Sequence, residues 1–207
     1  MVNKNPERSG LMKLFYSCLV LVFLVALTPS FAQEKSPAPA EGQQSTSNTY
    51  KENEALEAAE DFLGKGAKGL AMVIAKAFKD LGEPVAFIRG EEGGGAIGVG
   101  LRYGRGELVR KGAKGRKVYW QGPSVGFDIG GNVAKVFVLV YNLSNNEALF
   151  QRFPGVEGSA YFVGGVGLNY NQSGEVILAP VRLGIGWRLG VGVGYLHFTK
   201  KKSYWPF

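Results

Sequence analysis

Residues Leu183–Tyr195 read Leu-Gly-Ile-Gly-Trp-Arg-Leu-Gly-Val-Gly-Val-Gly-Tyr, and few folds can accept such a segment. Large apolar residues hold every odd position, while the even positions carry Gly184, Gly186, Arg188, Gly190, Gly192 and Gly194. Strand side chains point alternately to opposite faces, so this is one bulky face backed by a nearly bare one. Each strand glycine costs roughly 0.5–1 kcal/mol relative to alanine, so the bare face must serve a geometric purpose. It lets strands bend sharply or lets another backbone approach closely. Burial of the bulky face, about 1.5–3 kcal/mol per Leu, Ile or Val, offsets the cost. The alternation recurs at Ile97, Val99, Leu101 and Tyr103 against Gly98, Gly100, Arg102 and Gly104. A small, tightly curved β-barrel accommodates both stretches.

The rest of the chain from Val85 onward fits that reading. Short apolar segments are predicted at Val85–Ile88, Leu108–Arg110, Val118–Trp120, Val125–Ile129, Val133–Leu143, Tyr161–Val163, Val166–Tyr170 and Val176–Leu178, with two more strands within 180–198. The cluster Gly90–Gly95, with Glu91 and Glu92, is read as a loop. The expectation is an all-β domain with an N-terminal helix, built as a small closed or conical antiparallel β-barrel of about ten strands and rich in glycine.

Upstream, Lys4, Arg8 and Lys13 precede the apolar run Leu14–Leu27, and Ser30-Phe31-Ala32 offers a cleavage site. The run is shorter than the ~20 residues a spanning helix needs. Residues 1–32 are therefore read as a cleaved export signal, leaving no transmembrane span in the mature chain and placing it in the periplasm. Removing them takes away Cys18, the sole cysteine, together with three of 24 cations and one of 17 acids, leaving a formal charge of +5. Residues 33–52 are polar, lack apolar periodicity and read as a disordered linker. Residues 53–82 are read as helical and 83–207 as the barrel domain. The helical pattern is clearest at Leu70, Val73, Ile74, Ala77, Phe78 and Leu81, one apolar stripe stopped by Gly82 and Pro84. This helix is expected to cover an open end of the barrel, with Lys76, Lys79 and Asp80 facing water; a membrane-surface helix is the alternative.

Few catalytic arrangements can be drawn from what remains. His197 is the only histidine, which excludes a two-histidine metal site, and no Gly-x-Ser-x-Gly elbow accompanies it. The glycine-rich segments run into β pattern rather than opening a helix, unlike a dinucleotide fingerprint. Mature aspartates are confined to Asp61, Asp80 and Asp128. No cofactor, metal or nucleic acid is expected, and an envelope-polymer hydrolase is the remaining enzymatic alternative.

Two groups of polar residues stand out. Arg102, Asp128 and Arg188 interrupt the small-residue faces; inside a narrow barrel an arginine needs a partner, so Asp128 is expected to pair with one of them. The alternative is an anion pocket lined by the two arginines. Between Arg102 and Lys117, the cations Arg105, Arg110, Lys111, Lys114, Arg116 and Lys117 outnumber the one acid, Glu107. A solvated hairpin accounts for this, and docking to anionic lipid or lipopolysaccharide is its functional reading.

Several motifs together resemble one bacterial family. They are Gly90-Glu91-Glu92-Gly93-Gly94-Gly95, Gly100-Leu101-Arg102-Tyr103-Gly104, Trp120-Gln121-Gly122-Pro123-Ser124-Val125-Gly126-Phe127-Asp128, Phe137–Leu143, Arg152-Phe153-Pro154-Gly155-Val156-Glu157-Gly158 and Gly186-Trp187-Arg188-Leu189-Gly190. Across roughly Val85–His197 the chain resembles the alphaproteobacterial envelope integrity protein A family, long treated as a domain of unknown function. The resemblance implies a periplasmic protein with a small conical β-barrel that maintains the cell envelope and has no assigned catalytic activity. A more distant similarity to SYLF lipid-binding domains would imply lipid contact. Envelope proteins and anionic lipid or lipopolysaccharide are the candidate partners.

Overall fold

The computed structural model describes residues 48–128, 133–183 and 194–203, with backbone alone at 95–99 and 124–128. Among the described residues two helices come first, α1 (Glu52–Leu63) and α2 (Leu70–Leu81). Nine strands follow: β1 (Ala86–Arg110), β2 (Arg116–Asp128), β3 (Ala134–Tyr141), β4 (Arg152–Pro154), β5 (Tyr161–Val163), β6 (Val166–Leu168), β7 (Asn171–Ser173), β8 (Val176–Leu183) and β9 (Tyr195–Thr199). Neighbours run antiparallel in the order β4-β9-β2-β1-β3-β8-β6-β5, and β7 pairs with β8. A bridge between Gly155 and Asn171, beside a 2.9 Å hydrogen bond from the Val156 amide to the Tyr170 carbonyl, carries β7 back to the β4 edge. The strand path thus returns on itself, giving the barrel-like, mostly antiparallel architecture expected from the glycine alternation.

β1 differs from the sequence expectation. The Gly90–Gly95 cluster lies within the strand, which pairs with β3 through residues 86–92 and with β2 through residues 96–108. The strand reverses between Gly94 and Leu101, so its two halves lie antiparallel. Arg89 meets Glu107 at 2.8 Å and Arg105 meets Glu91 at 3.3 Å. Glycine makes that approach possible: a Cβ on Gly106 would stand 2.6 Å from the Arg89 carbonyl oxygen. A composition that reads as a loop becomes strand because the bare positions face a backbone rather than water. The segment 184–193, the strongest glycine alternation in the sequence, lies outside the described residues, as do the signal and most of the linker.

β3 shows how the core is divided. Val136, Val138 and Val140 point into the barrel with Ile88, Leu108, Trp120, Leu178, Phe153 and Phe198. Phe137, Leu139 and Tyr141 point outward and are covered by Ala55, Ala59, Leu70, Val73, Ile74 and Ala77 of the helices. Burial on both faces is why this strand is a continuous apolar run instead of an alternating one. The helices therefore cover the side of the barrel at β3 and β8, not an open end. The Ala and Val positions of the α2 stripe let it lie close to the sheet, while Phe78 and Leu81 are only partly buried. Lys135 of β3 donates to the Phe62 carbonyl at 2.8 Å, satisfying one of the open acceptors at the end of α1. Asp80, expected in water, is exposed there, and it also accepts from the Tyr170 hydroxyl at 2.6 Å and pairs with Lys76.

Trp120 fills the barrel beside the inward glycines. A Cβ on Gly104, its register partner, would overlap the indole ring, and one on Gly90 would lie 2.6 Å from its Cη2. Gly104→Ala is expected to lower unfolding free energy by about 1–3 kcal/mol through overpacking, measured by urea denaturation with unchanged strand content by circular dichroism.

Candidate functional site

Inside the barrel, above its apolar layer, lies a chain of hydrogen-bonded polar groups. Glu92 of β1 and Arg182 of β8 are both buried, at 7% exposure each. The Arg182 Nε donates to Glu92 Oε1 at 2.5 Å and its Nη2 to Oε2 at 3.3 Å, so the fork engages both carboxylate oxygens. The Trp120 indole N–H donates to Oε2 at 3.3 Å, and the Arg102 Nε stands 3.9 Å from Oε1. Arg182 Nη1 donates to Asn169 Oδ1 at 2.9 Å, Asn169 Nδ2 to Asn171 Oδ1 at 2.8 Å, and Asn171 Nδ2 to the Phe153 carbonyl at 3.1 Å. The chain therefore ends at β4, where the barrel closes.

Burial by itself would raise the Glu92 pKa, but the Arg182 and Arg102 charges and the hydrogen bonds from Arg182 and Trp120 outweigh it, holding the carboxyl at about 2. Of the arginines expected to face inward, Arg102 stands 3.9 Å from Glu92, whose closer cation is Arg182. Both were missed: Glu92 because its glycine neighbours read as loop, Arg182 because it lies two residues after Pro180 in a run taken for ordinary strand. Arg188 and the side chain of Asp128 lie outside the described residues, and so does the expected pairing of Asp128 with an arginine.

The basic hairpin is only partly available to a ligand. Arg110 donates to the Leu143 carbonyl at 2.8 Å, Lys111 pairs with Glu54 at 2.8 Å and lies over the Tyr50 ring, and Arg116 pairs with Glu147 at 2.9 Å. Arg105 is held by Glu91. These four fasten the hairpin and its strands to the helix, the segment after β3 and the other half of β1. Lys114 and Lys117 are exposed and make no ion pair with a described residue, and exposed Lys201, just beyond β9, is likewise unpaired. Lys200 joins Arg116 at Glu147.

At β1, β2 and β9 a cleft of about 370 Å³ is lined by Glu91, Tyr103, Arg105, Tyr119, Gln121 and Lys202 among others, Gln121 being buried at 2% exposure. His197 lies on β9, opposite Gln121. Burial, and then the charge of Arg152, pull the imidazole below its ordinary pKa, and its Nδ1 is buried without a hydrogen-bond partner. No carboxylate orients it, so the described residues give it no general-base partner. Among them, no group of three or more His, Cys, Asp or Glu side chains is placed to hold a metal.

Glu92→Gln is expected to destabilise the protein by about 3–5 kcal/mol at neutral pH, since Arg182 would keep a buried charge without its counter-ion. The folded pKa of about 2 lies below the ordinary 4.5, so the ion-pair stabilisation is present above pH 4.5 and lost as pH falls toward 2. The gap in thermal midpoint between the native protein and the variant should therefore narrow across that interval, as read by calorimetry.

The fold and these sites can be set beside known proteins. No curated protein matches the chain. The crystal structure of a beta-barrel-like, uncharacterised protein from Brucella abortus matches with a TM-score of 0.72 and 45% sequence identity, covering 78% of this chain and 100% of that one. Neither this match nor the family match concerns a SYLF domain. The family model described as envelope integrity protein A matches residues 48–207, which take in both helices and all nine strands, and on that extent the chain belongs to the envelope integrity protein A family.

Proposed function

We propose that this protein is a periplasmic, non-catalytic component that supports envelope integrity by docking on an anionic surface, lipid or lipopolysaccharide, through one edge of its barrel. A single observation carries the reading: the hairpin between β1 and β2 keeps Lys114 and Lys117 exposed and without ion pairs to any described residue, while its other cations are tied to the protein's own acids and carbonyls. Lys201 follows β9, the strand paired with β2, and extends the same edge. A rigidly anchored hairpin with Lys114 in its turn and Lys117 at the start of β2 presents point charges to a surface without ordering a loop on contact. The basic n-region and apolar core of residues 1–32 support export, and the family name supports an envelope setting.

Co-sedimentation with anionic vesicles and with lipopolysaccharide micelles tests this. Each lysine near such a surface contributes about 1 kcal/mol, so Lys114→Ala, Lys117→Ala and Lys201→Ala together should weaken binding on the order of a hundredfold. High salt should weaken the native protein similarly. Binding that ignores both the substitutions and the salt would refute surface docking.

A further inference from the structure

We infer that Arg116, Lys200 and the Phe150 ring form a binding site for a phosphomonoester headgroup, which Glu147 fills with its own carboxylate in the free protein. The inference rests on the docking reading, because the site lies on the same edge: Arg116 adjoins Lys117, and Lys200 adjoins Lys201. Neighbouring strands bring the two cations together, since β2 begins at Arg116 and its partner β9 ends one residue before Lys200. Both converge on one acid. Arg116 Nη2 donates to Glu147 Oε1 at 2.9 Å and the Lys200 ammonium pairs with Oε2, so each oxygen has its own cation. Among the described residues neither cation has a second carboxylate partner.

Phe150 holds the two cations independently of that acid. The Arg116 guanidinium lies 4.9 Å and the Lys200 ammonium 5.4 Å from the centroid of its ring, within reach of cation–π attraction. The ring packs against the inner core, and the Phe198 amide donates to the next carbonyl, that of Gln151, at 3.0 Å. Arg116 and Lys200 therefore keep a common anchor when Glu147 swings away. Glu147 can do so, because its side chain is 58% exposed and exposed ion pairs contribute little to stability. Its backbone stays in place, since the Asn145 side chain accepts from the Glu147 and Ala148 amides at 2.9 and 3.1 Å.

Charge decides which anion replaces the carboxylate. One carboxylate leaves two cations half neutralised. A phosphomonoester carries about −1.5 to −2 charges near neutral pH and three acceptor oxygens, enough for a forked guanidinium and an ammonium at once. A phosphodiester carries a single charge, no more than the carboxylate it would have to displace. The resident acid thus makes the site selective: it turns away weak anions and yields to a doubly charged one.

Nuclear magnetic resonance titration of the purified protein with inorganic phosphate and with dimethyl phosphate tests the site without a membrane. A mildly alkaline pH keeps inorganic phosphate mainly doubly charged. The Arg116 Nε–H resonance is expected to shift saturably with inorganic phosphate and far less with dimethyl phosphate. Glu147→Gln removes the competing charge and keeps the side-chain shape, so it should tighten inorganic phosphate about fivefold, while Lys200→Gln should weaken it by a similar factor. On vesicles of equal surface charge, Glu147→Gln should gain more binding with phosphatidic acid than with phosphatidylglycerol. An unmoved Arg116 resonance, an equal response to the two small anions, no tightening in Glu147→Gln, or an equal gain on the two vesicles would each overturn the site. Docking through Lys114, Lys117 and Lys201 would then stand or fall on its own test. Saturable phosphate binding by a protein that ignores both vesicles would instead reject the headgroup, and the docking reading with it. If a variant loses its cooperative melt, the native protein decides by its response to the two small anions.

Discussion

A carboxylate in the interior of a small barrel is tolerable only if it is fully partnered, and Glu92 is. The penalty for taking an ionised group out of water amounts to several kcal/mol, which one hydrogen bond cannot offset. Arg182 grips both oxygens, Arg102 adds charge and Trp120 adds an indole donor. Because each partner sits on a different strand, the requirement that Glu92 be satisfied fixes β1, β2 and β8 relative to one another. Asn169 and Asn171 extend the constraint to β4. The polar chain thus specifies how the barrel closes, while the apolar layer beside it supplies the bulk of the burial.

Glycine is the complement of that arrangement. Gly90, Gly104 and Gly106 leave space that the Trp120 ring and the two halves of β1 occupy. Without it the indole could not lie against β1 with its N–H on Glu92, and Arg89 and Arg105 could not meet the acids across the fold-back. Bare positions and a buried ion pair are two aspects of one design: the strands come close enough for a charged pair to be screened from water by packing alone.

This division of labour also separates stability from function. Among the described residues, Glu92, Arg182, Asn169 and Asn171 are hydrogen-bonded to one another and to Trp120 and the Phe153 carbonyl. The hairpin cations Arg110 and Lys111 likewise serve the fold. What faces outward is different in kind: Lys114, Lys117 and Lys201 are exposed at one edge. Surface recognition is the chemistry such groups support.

Periodicity by itself determined a good deal. The stripe from Leu70 to Leu81 dictated α2 and its apolar face, the glycine alternation at 97–104 dictated a closely packed β architecture, and the motifs from Gly90 to Gly190 carried the family. It also dictated that an arginine facing into a narrow barrel must find an acid. Only the tertiary structure decided which acid. Glu92 and Arg182 are 90 positions apart, and no local pattern encodes a pairing across that separation. The fold-back within β1 was hidden for the same reason, since Gly90–Gly95 has loop composition unless the opposing backbone is known. The helices' place on the side of the barrel, and the cleft assembled from Tyr103, Tyr119, Gln121 and Thr199, also follow from strand order. Side-chain spacing within one element is written in the sequence, whereas adjacency between elements arises only when loop entropy, ladder register and burial are satisfied together.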